Sequence, residues 1–483
     1  MRVGTSLVVG FIGLLGIADG AVITVPSPGI NTIQNGIDAS SSGDVIRIKA
    51  GLYEETVTIG VNQGGITLVG VGKVILDARP SAIASGPGLE VLGSGVTVKN
   101  ITIRCAVTGL GGDGHGLLVD ANAFTGSKIV VQHCEASGIH MLSLDSTLTN
   151  CRVEAVGGAG IHAEFASGLV LKSCVVRGAG GVGLELDGAG ILVDSCRVRG
   201  SRGNGIEVVG SDAIVRKCVV ENADDDAIVA DGLGALVDSC RLDTIDGVGI
   251  DADGADAIVR RCKITATQSF AIGCGGDNTR IEDNVLTRCR AGIVIGGTSQ
   301  QVLRNRLTDT TLLGIDLDTC SQALVANNVI VRVGGAAISS DKGALETIRD
   351  NVVKDAVMLA DTPVRAAFEI SSVSATVSGN RLIGCGGDGI AITADDCEIV
   401  DNALKACMED GIDVESGDAC IIDGNVVLGC TGEGIENNGT NTTITNNVMK
   451  KNRIDLANDG TLDDVLGNVF TTGGTNEVPL IDF

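Results

Sequence analysis

Residues 193–242 contain three near copies of one short segment, namely VDSCRV at 193–198, VRKCVV at 215–220 and VDSCRL at 237–242. The cysteine of this segment recurs every 22 residues from Cys174 to Cys262, and Cys151 precedes the series in step. After Cys262 asparagine takes over the same slot, and we call all 15 positions the anchors. The asparagine anchors are Asn284, Asn305, Asn328, Asn351, Asn380, Asn402, Asn425, Asn447 and Asn468. A fixed period of this length predicts a repeat architecture in which each period forms one coil.

Each period also contains more than one short strand. Nine residues after most anchors stands a small residue, and an aliphatic one follows it at the tenth position; apolar residues alternate in the segment that begins there, as in Ile206-Glu207-Val208. This alternation is the period of a half-buried strand. Leucine-rich repeats share the period and are the alternative fold, but here their leucine positions hold Gly, Asp and Ala. The pattern favours an all-β, single-stranded, right-handed parallel β-helix, whose 15 coils would stack into a rod of about 70 Å.

Composition and charge narrow the possible partners. The 483 residues include 70 Gly, 7 Phe, 1 Tyr and no Trp, and 60 acidic against 35 basic residues give a net charge of −25. A surface of that charge repels phosphate backbones and anionic lipid headgroups. Nucleic acid and anionic membrane surfaces are therefore excluded as partners.

The first 20 residues have the features of a secretory signal peptide. Arg2 is followed by an apolar stretch from Leu7 to Ile17 and by the small residues Ala18 and Gly20. A membrane anchor is the alternative, but the stretch is shorter than the roughly 20 residues of a spanning helix. We therefore expect a signal peptide at 1–20, a β-helix at 21–483, and no membrane span after signal removal. The predicted location is secreted or cell-surface, or periplasmic in a Gram-negative cell.

The beginning of the predicted β-helix carries a family resemblance. TIQNGIDAS at 32–40 places Ile33 and Ile37 on one face of a short helix, and GDVIRIKAGLYEETVTI follows at 43–59. From about residue 22 onward the chain resembles the right-handed β-helix, or pectin-lyase-like, superfamily. The resemblance implies that the short helix caps the first coil, which covers backbone groups that an open coil would leave unpaired. It also implies that the stacked Asn anchors bond backbone groups of neighbouring coils.

The enzymes of that superfamily have recognisable motifs. Its lyases use a basic residue with Ca²⁺ on the outer strand face, and its polygalacturonases use clustered Asp with Gly-His-Gly and Arg-Ile-Lys. Here GHG stands at 114–116 and RIK at 47–49, in the reverse of the family's order and with RIK in the opening strand. We interpret both matches as coincidence.

Residues one period apart lie above one another, so the sequence can be interpreted as vertical columns. The anchors lack Cys-x-x-Cys spacing, which argues against a zinc or redox site and favours a small buried side chain. The coil spacing of about 4.8 Å would also permit disulfides between adjacent coils. Two residues before each anchor, the charge alternates through six coils, which favours register control by opposite charges. These six residues are Lys172, Asp194, Arg216, Asp238, Arg260 and Glu282.

A third column points outward and is acidic. Its members after the small-aliphatic step are His162, Glu164, Glu185, Asp187, Glu207, Asp231, Asp251, Asp253, Asp316, Asp318, Asp413, Glu415 and Glu436. They are either solvated strand residues of an acidic protein or oxygen ligands for Ca²⁺ from adjacent coils. The hypothetical Ca²⁺ ligands are Glu164, Asp187, Glu207, Asp231, Asp251 and Asp253, and the sequence indicates no other cofactor.

All four histidines lie between residues 115 and 162. Histidine beside carboxylates can serve acid/base chemistry, so the candidate catalytic residues are His162, Glu164, Glu185, Asp187 and His140. The absence of Trp and the single Tyr argue against a deep cleft with aromatic platforms for sugar rings.

Two functional hypotheses remain. The leading one is a secreted β-helix protein that binds extracellular polysaccharide or forms part of a cell-surface layer, with Ca²⁺ on its acidic face. The alternative is a polysaccharide lyase, hydrolase or epimerase acting at the histidine and carboxylate cluster of the early coils. The insertions between Asn100 and Cys134 and between Asn351 and Asn380 would have to flank a groove in the enzyme, and the first lies beside the histidines.

Overall fold

The computed structural model describes residues 20–79, 86–105, 114–356 and 365–470. The described chain is one parallel β-solenoid of about 19 turns, which confirms the predicted all-β coil architecture. Residues 1–19 of the signal peptide predicted at 1–20 and the last residues of the predicted β-helix, 471–483, lie outside the described residues.

Each coil contributes one strand to each of three parallel sheets. Sheet I contains the strand before the anchor, sheet II the strand after it, and sheet III the strand that follows the small-aliphatic step. The long strands Val45–Tyr53 and Thr67–Asp77 belong to both sheet I and sheet II.

Sheet I consists, beside those two, of Val22–Val25, Thr97–Lys99, Thr125–Ser127, Thr147–Thr149, Val170–Lys172, Leu192–Asp194, Ile214–Arg216, Leu236–Asp238, Ile258–Arg260, Arg280–Glu282, Gln301–Leu303, Leu324–Ala326, Thr347–Arg349, Thr376–Ser378, Glu398–Val400, Ile421–Asp423, Thr442–Thr445 and Leu462–Asp464. Sheet II continues with Thr102–Arg104, Val130–Gln132, Arg152–Val156, Val175–Ala179, Arg197–Ser201, Val219–Ala223, Arg241–Ile245, Lys263–Thr267, Val285–Thr287, Arg306–Thr310, Val329–Val333, Val352–Ala356, Arg381–Cys385, Ala403–Lys405, Val426–Leu428, Val448–Lys450 and Val469–Phe470. Sheet III consists of Val57–Ile59, Leu89–Val91, Leu117–Val119, Ile139–Leu142, Ile161–Glu164, Leu184–Asp187, Ile206–Val209, Ile228–Asp231, Ile250–Asp251, Phe270–Cys274, Ala291–Ile295, Ile315–Asp318, Ile338–Asp341, Ala366–Ile370, Asp388–Ile392, Ile412–Val414, Glu433–Asn437 and Ile454–Asn458.

The predicted capping helix is present as Ile33–Asp38, and a short 3-10 helix follows at Val61–Gln63. The Thr32 hydroxyl oxygen caps the helix by accepting a hydrogen bond from the backbone N–H of Asn35 at 3.1 Å. Ile33 and Ile37 are fully buried in the core, as their shared helix face predicts. Within the described residues, the helices are too short or too polar to cross a membrane.

A left-handed residue makes the corner between sheets I and II. The residue before each anchor has positive φ, for example 55° at Ser173, 59° at Ser195 and 55° at Lys217. A single residue in this region turns the chain sharply while the strands on both sides stay extended. The anchor directly after it therefore points into the core in every coil.

The cysteine anchors are a packing column. Cys151, Cys174, Cys196, Cys218, Cys240 and Cys262 are buried free thiols. One disulfide between adjacent coils does occur, between Cys105 and Cys134 with their Cα atoms 4.8 Å apart, and neither residue is an anchor.

The asparagine anchors form a continuous buried hydrogen-bond ladder. Asn351 is representative, because its Oδ1 accepts from the backbone N–H and Nδ2 of Asn328 at 2.9 and 3.0 Å. Its own Nδ2 donates to the Val325 carbonyl at 2.9 Å and to Oδ1 of Asn380 at 3.0 Å. The same pattern links the anchors from Asn284 to Asn468, as the family resemblance implied.

The prediction of 15 coils is too low. Two earlier coils fill the anchor slot with Ile101 and Ile129, each fully or almost fully buried after a left-handed Asn100 or Lys128. The anchor position needs only a side chain that can be buried in the core, so an aliphatic residue can occupy it. A coil count based on Cys and Asn therefore misses the coils that have isoleucine there.

The alternating charge column has the predicted register. Lys172 pairs with Asp194, and Asp194 pairs in turn with Arg216 in the next coil. Arg216 Nη2 donates to Asp194 Oδ2 at 2.8 Å, and this hydrogen bond is the main reason that the pKa of Asp194 is lowered. The column is therefore structural.

Reversal of one charge in this column should destabilise the solenoid. Asp238→Lys would place a third cation against Arg260 and Arg261, both of which contact Asp238 in the native protein. We expect a loss of about 2 kcal/mol at low salt and a clearly smaller loss at high salt, because ions screen the repulsion. Chemical denaturation at two ionic strengths measures the effect, with Asp212→Lys on the exposed surface as the control. Equal stability of Asp238→Lys and the parent at both ionic strengths would contradict register control.

Candidate functional site

The outer face of sheet III carries the acidic residues that the sequence predicted to point outward. In the strand Leu184–Asp187 the two leucines are buried, whereas Glu185 is half-buried and Asp187 is exposed. Strand registers divide these residues into two adjacent columns, the first containing His162, Glu185 and Glu207 and the second containing Glu164.

Both columns are interrupted, which separates the hypothetical Ca²⁺ ligands. Val229 stacks between Glu207 and Asp251 in the first column, and Val209 pairs with Asp231 in the second. Within the described part of the chain, no three of the six hypothetical ligands have ligand atoms within 4.8 Å of one another. The structure thus places Glu164 and Asp187 in one region and Asp231, Asp251 and Asp253 in another, with Glu207 between them.

The early coils bring the predicted histidines together. His140 pairs with His162, and their rings are stacked with centroids 4.8 Å apart and an interplanar angle of 5°. The Nε2 atoms of His140 and His162 lie 3.6 and 3.3 Å from the same Oε1 of Glu164. Glu185 Oε1 lies 3.9 Å from His162 Nε2, so four of the five candidate catalytic residues form one cluster.

His115 also belongs to this cluster, which the sequence interpretation missed. Its Nε2 lies 3.3 Å from His140 Nδ1, and the two ring centroids are 4.6 Å apart. His115 is the central residue of the GHG segment, which was dismissed as coincidence. His115 lies one coil before His140, and this position could have assigned it to the cluster. The span between Asn100 and Cys134 has an irregular length, so the coil spacing did not show it.

A shallow depression of about 420 Å³ lies near the middle of the same face. We call it the Phe270 depression. It is lined by Val248, Asp251, Asp253, Phe270, Gly273, Cys274, Gly275, Val294, Ile295, Gly296, Gly297, Asp318 and Thr319. It exists because glycine occupies both outward positions of one coil, at Gly273 and Gly275, and one outward position of the next coil, at Gly296, beside Val294.

The walls of the Phe270 depression combine one aromatic ring with carboxylates. Phe270 is 40% exposed, so part of its ring faces solvent. Burial, with the neighbouring charges of Asp253 and Asp231, raises the pKa of Asp251 to about 6. The depression therefore offers an apolar face beside a carboxyl that is readily protonated and an exposed carboxylate.

A second carboxyl cluster lies on sheet III in the late coils. Oδ1 of Asp388 accepts a hydrogen bond from the backbone N–H of Asp410 at 2.7 Å, and Asp410 in turn contacts Glu433. Burial, followed by the hydrogen bond with Glu433, raises the pKa of Asp410 to about 9. Asp413 pairs with Glu436 in the outward column, and burial with the charges of Asp388 and Glu436 raises the pKa of Asp413 to about 7.

Three members of this second cluster were not predicted. Asp388, Asp410 and Glu433 stand directly before the Gly-Ile step in three successive coils, in DGI at 388–390, DGI at 410–412 and EGI at 433–435. That repeated acidic residue was the available signal. The structure shows that all three side chains are buried, which the sequence did not predict.

Comparison with protein families agrees with the architecture. A family model described as right handed beta helix region matches residues 55–191, 115–251, 159–302 and 226–362, which together span 55–362. A model described as periplasmic copper-binding protein (NosD) matches residues 344–482. No curated protein matches the chain.

Several solved structures are similar at low identity. An alginate lyase from Paenibacillus sp. str. FPU-7 is 17% identical over 52% of this chain and 95% of its own, with a TM-score of 0.41. The catalytic domain of a GH87 α-1,3-glucanase in complex with nigerose is 14% identical over 65% of each chain, with a TM-score of 0.45. The A-module of a mannuronan C-5 epimerase from Azotobacter vinelandii is 14% identical over 66% of this chain and 90% of its own, with a TM-score of 0.42. With TM-scores this low, none of these similarities bears on the chemistry of this chain.

The NosD-like range does not fit a copper site. Residues 344–482 contain no histidine, and the five cysteines in the range are buried in the core. Met408 is the only exposed thioether among the described residues of the range. Copper sites are built from accessible imidazole, thiolate or thioether ligands that converge, and these residues do not provide them.

Proposed function

The chain belongs to the right-handed β-helix family, and from that premise we propose that it binds a polysaccharide outside the cytoplasm, in the Phe270 depression. The single observation that carries the proposal is the combination of an exposed aromatic ring and carboxylates around a concave surface on the outer face of sheet III. The predicted signal peptide at 1–20 supports export, and the likeness of 344–482 to a family named for a periplasmic protein agrees with it.

The geometry of the depression suits sugar rings. The outward glycines open it over two coils, or about 10 Å of the solenoid axis, which gives room for one or two rings. An apolar ring such as Phe270 can cover the C–H face of a sugar, and carboxylates can accept hydrogen bonds from its hydroxyl groups. Asp253 and Asp318 lie at opposite ends of the depression, so both ends can hold hydroxyls.

The charge of the same surface favours an uncharged polysaccharide. A uronate chain would bring carboxylates against Asp251, Asp253 and Asp318 in a protein that already carries a net charge of −25. Such a chain could bind only through cations that bridge the two sets of carboxylates. The Ca²⁺ hypothesis for the acidic face therefore applies to acidic glycans and not to neutral ones.

Binding to a panel of neutral and acidic polysaccharides tests the proposal. We expect Phe270→Ala to weaken binding of a neutral glycan at least about tenfold, since loss of a buried aromatic contact costs about 1.5–3 kcal/mol. Phe165→Ala is the matched control, because Phe165 is an exposed phenylalanine that does not line the depression. Affinity is measured by calorimetry for soluble glycans and by co-sedimentation for insoluble ones.

The same panel, run with Ca²⁺ and with a chelator, separates the two modes of binding. We expect neutral glycans to bind equally in both conditions and acidic glycans to bind only with Ca²⁺. Asp251→Asn with Asp253→Asn should remove the Ca²⁺-dependent part. If no glycan distinguishes Phe270→Ala from Phe165→Ala, the proposed binding site is wrong and a role in a cell-surface layer becomes the better explanation.

Glycan cleavage is the second candidate function. The observation that favours it is the raised pKa of Asp251, about 6, beside Asp253 in the depression, since a protonated acid next to a carboxylate is the arrangement that glycoside hydrolysis uses. The histidine cluster remains the predicted centre for a lyase, hydrolase or epimerase. Assays for new reducing ends and unsaturated products on the same panel test both, with Asp251→Asn and His162→Ala as the respective variants.

A further inference from the structure

The histidine cluster of the early coils has the composition of a transition-metal site, which differs from the all-oxygen Ca²⁺ site predicted for the acidic face. It combines two imidazoles, His140 and His162, with the carboxylate of Glu164, and a further carboxylate, Glu185, lies beside His162. We propose that this cluster binds one divalent transition-metal ion of the Zn²⁺ and Cu²⁺ class. The site lies four coils from Asp251, so the proposal goes beyond glycan binding and does not depend on it.

The distances between the ligand atoms match a tetrahedral site. Zn²⁺ binds imidazole nitrogen at 2.0–2.1 Å and carboxylate oxygen at 2.0–2.2 Å, so two ligand atoms of one ion stand about 3.3–3.5 Å apart. The separations from Glu164 Oε1 to Nε2 of His162 and His140 are 3.3 and 3.6 Å. All three ligand atoms lie within 4.8 Å of one another. Coordination would require the two parallel rings to tilt toward each other, which rotation about their side-chain bonds allows.

The backbone holds these three residues in fixed positions. His162 and Glu164 are two residues apart on one strand and therefore share its outer face, while His140 stands in register with His162 on the preceding coil. The side chains of His140, His162 and Glu164 are 15%, 24% and 40% exposed, so the imidazoles are held by packing and an ion can still enter from solvent. A shallow hollow of about 300 Å³ beside them is lined by His162, Glu164 and three more acidic residues.

Ligand chemistry decides the class of ion. Imidazole suits Zn²⁺, Cu²⁺, Ni²⁺ and Fe²⁺, whereas Ca²⁺ and Mg²⁺ prefer sites composed of oxygen atoms only. The acidic surroundings attract any cation, but only the histidine pair discriminates between these classes. His115 is a positioning residue here, because its Nε2 approaches Nδ1 of His140, the ring nitrogen that points away from Glu164.

Metal titration of the chelator-treated full chain tests the site, with Zn²⁺ as the probe for affinity and Co²⁺ for geometry. We expect one equivalent of Zn²⁺ per chain by calorimetry and metal analysis, and a Co²⁺ spectrum typical of tetrahedral nitrogen and oxygen ligation. His162→Ala and Glu164→Gln should each lower the Zn²⁺ affinity at least tenfold. His115→Ala should lower it less and leave the Co²⁺ spectrum tetrahedral.

His133→Asn is the matched control, because His133 is the one other histidine in the sequence and is exposed at a corner with a φ of 59° that asparagine tolerates. Its Zn²⁺ affinity should stay within twofold of the parent. Melting temperatures of all variants in chelator should agree, which separates loss of the site from loss of the fold. The proposal is overturned by substoichiometric Zn²⁺, by equal affinities of His162→Ala and His133→Asn, by displacement of Zn²⁺ with excess Ca²⁺, or by a thiolate-to-cobalt band that places the ion on cysteine.

Discussion

Asn351→Ala is expected to destabilise the protein by about 3–5 kcal/mol. Asn351 is fully buried, and its Oδ1 is the acceptor for the backbone N–H and Nδ2 of Asn328. Alanine would leave these donors without that acceptor and would remove the donor to the Val325 carbonyl. Each buried polar group left unsatisfied costs about 1–3 kcal/mol, and the lost volume adds a cavity cost. Denaturant unfolding followed by circular dichroism measures the change.

The cysteine half of the ladder provides the control. Cys218 occupies the same anchor slot in an earlier coil, where its Sγ makes weak contacts with the carbonyls of Val193 at 3.5 Å and Arg216 at 3.3 Å. Cys218→Ala should therefore cost about 1–2 kcal/mol, mainly from the lost sulfur contacts. If both substitutions cost the same, the hydrogen bonds of the asparagine ladder contribute nothing beyond packing.

Asp413→Asn is expected to stabilise the protein at pH 8 by about 2 kcal/mol and to change it little at pH 4. Asp413 is only 9% exposed, and among the described residues none donates a hydrogen bond to its Oδ1. Burial, with the charges of Asp388 and Glu436, raises its pKa from an ordinary 3.8 to about 7, although Arg365 opposes the shift. The ionised carboxylate is therefore held in a place that disfavours it.

The sign of the pH dependence follows from proton binding. Between pH 4 and pH 7 the folded protein holds the Asp413 proton that the unfolded chain releases, so stability falls as the pH rises through this window and stays low above it. A shift of about three units corresponds to at most about 4 kcal/mol, and relaxation of the cluster reduces that figure. Asparagine keeps the shape and removes the charge, so the variant should lose this part of the pH dependence.

Melting temperatures between pH 4 and pH 9 provide the measurement, with Asp212→Asn as the control because Asp212 is exposed. The control should follow the parent across the whole range. A parallel decline of Asp413→Asn and the parent between pH 4 and pH 7 would show that Asp413 is already neutralised, for instance by a cation that the carboxyl cluster retains. Repeating the series in chelator distinguishes that case.

The coil period and the vertical columns could be predicted from the sequence alone. The sequence predicted that Lys172 stands over Asp194, and it predicted the helix that buries Ile33 and Ile37. The physical reason is local. Each coil repeats one backbone path with a left-handed corner, so a constant spacing in sequence is also a register in space. Slots filled by other core residues, such as Ile101, were the exceptions.

Which of the outward residues form sites could not be predicted from the sequence and depends on how the coils pack. His115 reaches His140 across a span of irregular length, from which spacing alone gives no register. The Phe270 depression arises where outward positions lack side chains in neighbouring coils, and Asp413 is buried by the acidic residues stacked around it. The shape of a depression and the burial of a carboxyl depend on the side-chain volumes of several coils together. The register between neighbouring coils depends only on the number of residues in one coil. The sequence period therefore specifies the solenoid fold, whereas the candidate sites depend on how coils with different outward side chains pack against one another.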